Sequence, residues 1–199
     1  MQIKEQIINL LLSPSLGLAF LISVVLLDTL LIFIVYKNNP RSATNKIFSL
    51  LGLFTVFWLI SAYMFRIQES SSSTLLFGRL SIFFAAPMSA MFFLLAHTLP
   101  YEKLRISRRI LFLTILATVL MMVFNVSPYA FTAADVFEGT TPLKPGIGLL
   151  PFSIISTIFS ALAVYFLFKR LKRSQGIERQ QILFVLLGIF SMLSLVIGT

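Results

Sequence analysis

Six runs of almost unbroken apolar residues divide the chain, with short polar segments between them. They span Leu16–Tyr36, Ile47–Phe65, Leu75–Thr98, Ile110–Val126, Gly148–Phe168 and Gln181–Gly198. Each is close to the roughly 20 apolar residues a helix needs to cross a hydrocarbon layer about 30 Å thick. Stretches such as Leu26–Val35 lack the alternation of a barrel strand. Only helices and closed barrels satisfy every backbone polar group in lipid. The pattern therefore predicts an all-α polytopic bundle of six transmembrane helices, forming a single domain over residues 1–199.

The punctuation between the runs agrees with these bounds. Asn38-Asn39-Pro40, Pro100, Pro128, Pro142, Pro145 and Gly176 all fall between them, where turn-formers belong. Thr44 or Asn45 is expected to cap the second helix, and a Ser or Thr within Ser70–Thr74 the third. Segment Ile3–Leu12 is expected on the outer interface. The connection Ser127–Ile147, with Asp135 and Glu138, is open between an ordered loop, a short helix and a ligand lid. Pro87 lies inside the third run. There it removes a helical hydrogen bond and crowds the preceding turn, so it is the candidate hinge.

Charge orients the bundle. Twelve of the sixteen Lys and Arg residues fall in three connections. These are Lys37–Lys46, Tyr101–Arg109 and Lys169–Arg179, alternating with connections nearly free of cations. Lys and Arg flanking a span are retained on the cytoplasmic side, which places the N-terminus outside. Six crossings from an outside start end outside, and the sixth run closes at Thr199. Two readings follow: a small six-span protein, or a piece of a longer one whose seventh helix and effector lie beyond Thr199. The second is the expectation.

Composition narrows the class further. The chain is 58% hydrophobic and 12% charged, with a mean hydropathy of +0.96. Soluble domains carry roughly a quarter charged residues, so a soluble protein is excluded. The net charge of +9 sits between spans rather than on the face of a soluble domain. The lipid bilayer, with its anionic headgroups, is thus the expected partner, and nucleic acid is not. The absence of cysteine excludes disulfides, thiolate nucleophiles and Cys-ligated metals. The N-terminal segment lacks a small-residue cleavage site, so the first span is expected to remain as an anchor.

Few side chains inside the spans can carry chemistry. Asp28 is the one acid within a run, and intramembrane carboxylates usually face a bundle interior. Counted at about 1.5 Å per residue, Asp28 lies about 12 Å deep, with Thr55, Ser89, Thr118 and Ser160 at about the same depth. They form a candidate polar layer in which hydroxyls bond a protonated Asp28. Its alternative readings are a packing contact and a switch.

Arg66 and Arg79 lie near the outer ends of the second and third spans. Either they snorkel to the interface, or with Tyr63, Tyr129 and Phe131 they line an outward pocket for an anionic or polar ligand. His97 has no companion ligand, so it is read as an interfacial residue and not a metal site. No nucleotide loop, metal motif or catalytic triad occurs, and neither catalytic residues nor a cofactor are expected.

Three ordered blocks resemble a known family. The first is Asn45-Lys46-Ile47-Phe48-Ser49-Leu50-Leu51 running on to Phe57-Trp58-Leu59-Ile60-Ser61-Ala62-Tyr63. The second is Arg79-Leu80-Ser81, then Pro87 and Phe92-Phe93-Leu94-Leu95-Ala96. The third is Ser174-Gln175-Gly176-Ile177-Glu178-Arg179-Gln180-Gln181 with Leu186-Leu187-Gly188. Together they are similar to the seven-transmembrane N-terminal sensor region of bacterial histidine kinases. The resemblance implies a sensory input domain in a bacterial inner membrane. It also implies a small ligand or membrane-borne signal, a homodimeric full-length receptor and a cytoplasmic output. The competing reading is a small transporter or channel with Asp28 as its ion or proton site.

Overall fold

A computed structural model of the chain describes residues 14–68, 70–99, 103–134 and 143–198, the side chains of residues 14, 15, 134 and 188–198 excepted. Ile3–Leu12, Pro100, Asp135, Glu138 and Pro142 lie outside the described residues. The helices are α1 (Pro14–Asn38), α2 (Ala43–Ile67), α3 (Ser71–Thr98), α4 (Arg108–Val126), α5 (Leu149–Leu171) and α6 (Gly176–Gly198). Strands β1 (Phe131–Ala134) and β2 (Leu143–Pro145) lie between α4 and α5. The architecture is an all-α polytopic bundle. Helices α1 to α5 are long and apolar enough to cross a membrane, and α6 runs for 23 residues.

A helix covers each of the six expected runs, but several helices outrun their apolar cores. Hydropathy marks the part of a helix that needs hydrocarbon, whereas backbone hydrogen bonding continues through polar turns. Thus α2 starts at Ala43 rather than Ile47, and α6 at Gly176 rather than Gln181. Gly176 has a φ of +58°, a conformation L side chains rarely adopt. Glu178 in the first turn complements the helix dipole there.

Caps are local and specific. Ser42, and neither Thr44 nor Asn45, occupies the N-cap of α2, its hydroxyl accepting from the Asn45 amide at 3.4 Å. The Asn45 side chain instead donates from Nδ2 to the Val35 carbonyl at 2.8 Å, tying α2 to α1. Ser107 caps α4 by accepting from the Ile110 amide at 3.3 Å. Ser70 stands at the N-cap of α3 without a side-chain cap bond.

The described parts of the connection after α4, on either side of residues 135–142, form a two-stranded hairpin. β1 and β2 pair antiparallel with Phe131 opposite Pro145, Ala133 opposite Lys144 and Ala134 opposite Leu143, and the register slips between Phe131 and Ala133. The chain closes back tightly at its base. Gly146 donates to the Ala130 carbonyl and Gly148 to the Tyr129 carbonyl, both at 2.8 Å. A Cβ on Gly146 would lie 2.0 Å from the Tyr129 oxygen, so only glycine fits. A two-stranded hairpin is marginal alone, and β1 packs on α3.

Helix α3 is central: α2, α4, α5 and β1 all pack against it, while α1 lies against α2 and α6 against α5. Buried Ala86 and Ala90 on α3 and Ala163 on α5 belong to one core cluster with Phe93, Met121, Leu167, Ile182 and Leu186. Lipid tails are as apolar as these side chains, so close backbone approach over small residues, rather than water exclusion, holds such helices together. The outward faces are apolar as well. Leu27, Phe112 and Val123 are 66%, 64% and 64% exposed, a surface suited to acyl chains and not to water.

Candidate functional site

The bundle has two ends, one carrying the hairpin and the other the three basic connections. At the hairpin end Arg79 projects from α3, and its Nη2 donates to the Phe131 carbonyl of β1 at 2.6 Å. Its Nε is buried without a partner. Arg79 therefore turns to the hairpin rather than to water. One residue earlier, a Cβ on Gly78 would lie 2.7 Å from Leu143 Cδ1, so the second strand also rests on α3. Of the expected outer pocket, Arg79 and Phe131 are brought together. Arg66 is exposed, Tyr129 is 62% exposed, and the Tyr63 ring lies toward Gly17 of α1.

Midway along α3, Pro87 is fully buried within an uninterrupted helix. A proline cannot donate to the carbonyl four residues back, which leaves Phe83 without its helical donor. Polar side chains from two other helices reach this stretch. Asn125 of α4, fully buried, donates from Nδ2 to the Ile82 carbonyl at 2.9 Å. The Ser89 hydroxyl, bonded to the Ala86 carbonyl at 2.9 Å, lies 3.4 Å from Ser156 Oγ on α5.

The layer around Asp28 takes a different form from the one the depth count suggests. Thr55 donates to Leu51 at 2.9 Å and Thr118 to Thr114 at 2.7 Å, each within its own helix. Ser89 serves the Pro87 region, and Ser160 is half-buried on α5. Asp28 instead faces α2: its Oδ1 lies 3.5 Å from where a Cβ on Gly52 would stand, and its Oδ2 is buried with no partner. Helical hydroxyls are satisfied most cheaply by the carbonyl one turn back, which removes them from long-range pairing.

At the basic end, α3 finishes against α5. Arg170 donates from Nη1 to the Ala96 carbonyl at 2.6 Å and to the Leu99 carbonyl, and from Nη2 to the His97 carbonyl at 3.4 Å. The last carbonyls of a helix lack intrahelical donors and carry the negative end of its dipole, so one guanidinium meets both needs. Beneath it His97 is buried rather than interfacial. Its ring packs 4.5 Å from both Phe93 and Phe166, and its Nδ1 pairs with the Phe93 carbonyl at 2.9 Å.

The chain matches, over residues 19–198, the sequence model of the N-terminal 7TM region of histidine kinase. It belongs to that family. No curated protein and no solved structure matches it. As a histidine kinase 7TM region it is a multi-pass membrane input domain rather than a catalytic one. The polar contacts above are accordingly candidates for sensing and transmission.

Arg170, Asn125, Ser156 and Phe166 were not singled out by sequence reasoning. Arg170 had a readable signal, since it continues the stripe Ala163, Leu167 at helical spacing. For Asn125, a buried amide near the end of an apolar run, composition offered only its polarity.

Proposed function

We propose that this region senses an extracellular or membrane-borne signal and passes it along α3 to the output of a bacterial histidine kinase. The signal enters at the hairpin end and leaves at the basic end, where α5 turns toward α6. The observation that carries the reading is that one helix, α3, is fastened by an arginine at each end. Arg79 ties it to the hairpin and Arg170 ties its last turn to α5.

Transmission needs two packings of the bundle whose balance the signal biases. Pro87 lies between the two fastenings and lacks one backbone bond, which makes bending there less costly than elsewhere along the helix. Asp28, with a buried oxygen lacking any partner, is the candidate switch on the periphery of the same bundle. An expected homodimer would place two such bundles side by side.

The test is autophosphorylation of the full-length kinase in proteoliposomes, compared with Arg79→Ala and Arg170→Ala. Each substitution is expected to shift basal output at unchanged membrane insertion. Output identical to the parent in both variants would overturn the α3 route.

A further inference from the structure

The last turns of α5 present two opposite faces. Ala163 and Leu167, both 0% exposed, point into the bundle, and Arg170 follows them on the same stripe to reach α3. At 100° per residue, Tyr165, Phe168, Lys169 and Lys172 fall on the other side. There Tyr165, Phe168, Lys169, Lys172 and Arg173 line a half-open groove of about 390 Å³.

The groove is graded along the helix axis. Tyr165 and Phe168, at 57% and 41% exposed, form its wall where the apolar run of α5 ends. Lys169, Lys172 and Arg173 form its polar rim, and among the described residues no acidic side chain lines it. The Lys169 ammonium lies 6.0 Å over the Tyr165 ring, which holds the cation beside the aromatic wall. Three cations with no carboxylate beside them among the described residues call for an anion, and the aromatic wall on the hydrocarbon side calls for an amphiphile. Aromatics and Lys or Arg together at a span's end are the membrane-interface combination.

We infer that this groove binds an anionic phospholipid, its phosphate on Lys169, Lys172 and Arg173 and its first acyl carbons on Tyr165 and Phe168. Lys169 adjoins Arg170, so a lipid held on the outer face steadies the turn whose inner face caps α3. The inference rests on α5 crossing a membrane and not on the signalling route.

The 199-residue chain in nanodiscs of equal phosphatidylglycerol and phosphatidylcholine provides the test, with lipid adducts counted by native mass spectrometry after ejection. The parent chain is expected to retain phosphatidylglycerol preferentially. The variant K169Q/K172Q/R173Q should lose that preference by up to roughly a hundredfold, given the per-charge attraction of anionic headgroups at three positions. R108Q/R109Q, on a different basic connection, should keep it. Should the triple variant fail to insert, Lys172→Glu is read in its place. Equal retention of both lipids by the parent would overturn the assignment. So would unchanged preference in the groove variant or equal loss in both variants. Displacement of the lipid by millimolar inorganic phosphate would indicate a free-anion site and overturn it as well.

Discussion

Arg79 on α3 donates to the Phe131 carbonyl of β1 at 2.6 Å, a direct link between the hairpin and the central helix. Three residue pairs join the described parts of the two strands, and their register slips beside Phe131. Replacing Arg79 by Ala should therefore loosen β1 selectively. Hydrogen exchange of the amides in Phe131–Ala134 should quicken about tenfold, while the amides of α4 stay protected. Arg79→Lys, which keeps the charge but not the planar fork, should fall between. Exchange unchanged in Arg79→Ala would mean that packing of Leu143 over Gly78 alone holds the hairpin.

Arg170 caps the carbonyls of Ala96, His97 and Leu99 with one side chain. Hydrogen bonds from charged donors contribute roughly 1.5–3 kcal/mol, so Arg170→Ala should destabilise the bundle by about 2 kcal/mol. Thermal unfolding followed by Trp58 fluorescence checks this. A loss near zero would show that water replaces the guanidinium at no cost.

Pro87→Ala restores an N–H to the Phe83 carbonyl. The substitution should raise thermal stability, since a proline inside a helix costs on the order of 3 kcal/mol and neighbours offset only part of it. A stiffer α3 should also narrow the range between basal and stimulated kinase activity. A full range with higher stability would remove Pro87 from the signalling route.

Asp28 lies against Gly52, where a Cβ would meet Ile32 Cγ1 at 2.6 Å. Asp28→Asn removes the option of a buried charge while keeping the shape. Expression and insertion should be preserved and basal autophosphorylation altered, measured in vesicles against the parent kinase. Identical basal and stimulated rates would leave Asp28 as a packing residue.

The spans were legible because lipid imposes a single requirement, apolar length, that a sequence displays directly. The hairpin was not: Phe131–Ala134 and Leu143–Pro145 are too short for alternation to show, and β1 is held by a side chain 52 residues away. The loop charges gave a side of the membrane to Lys169, Arg170, Lys172 and Arg173 as a group. They did not say that Arg170 alone turns inward, which follows from its phase with Ala163 and Leu167. The depth count placed Thr55 and Thr118 at the level of Asp28, yet depth carries no azimuth, and both hydroxyls bond their own helices.

The central claim is that α3 links its two ends energetically, and a double-mutant cycle of Arg79→Ala and Arg170→Ala on kinase autophosphorylation tests it most directly. Arg79 and Ala96 are separated by about 26 Å of helix at 1.5 Å per residue. Substitutions so far apart with no shared partner normally add to within about 0.5 kcal/mol. A linked helix predicts that the double variant departs from additivity by about 1 kcal/mol or more, with the second substitution doing little once the first is present. Additive effects would contradict the account.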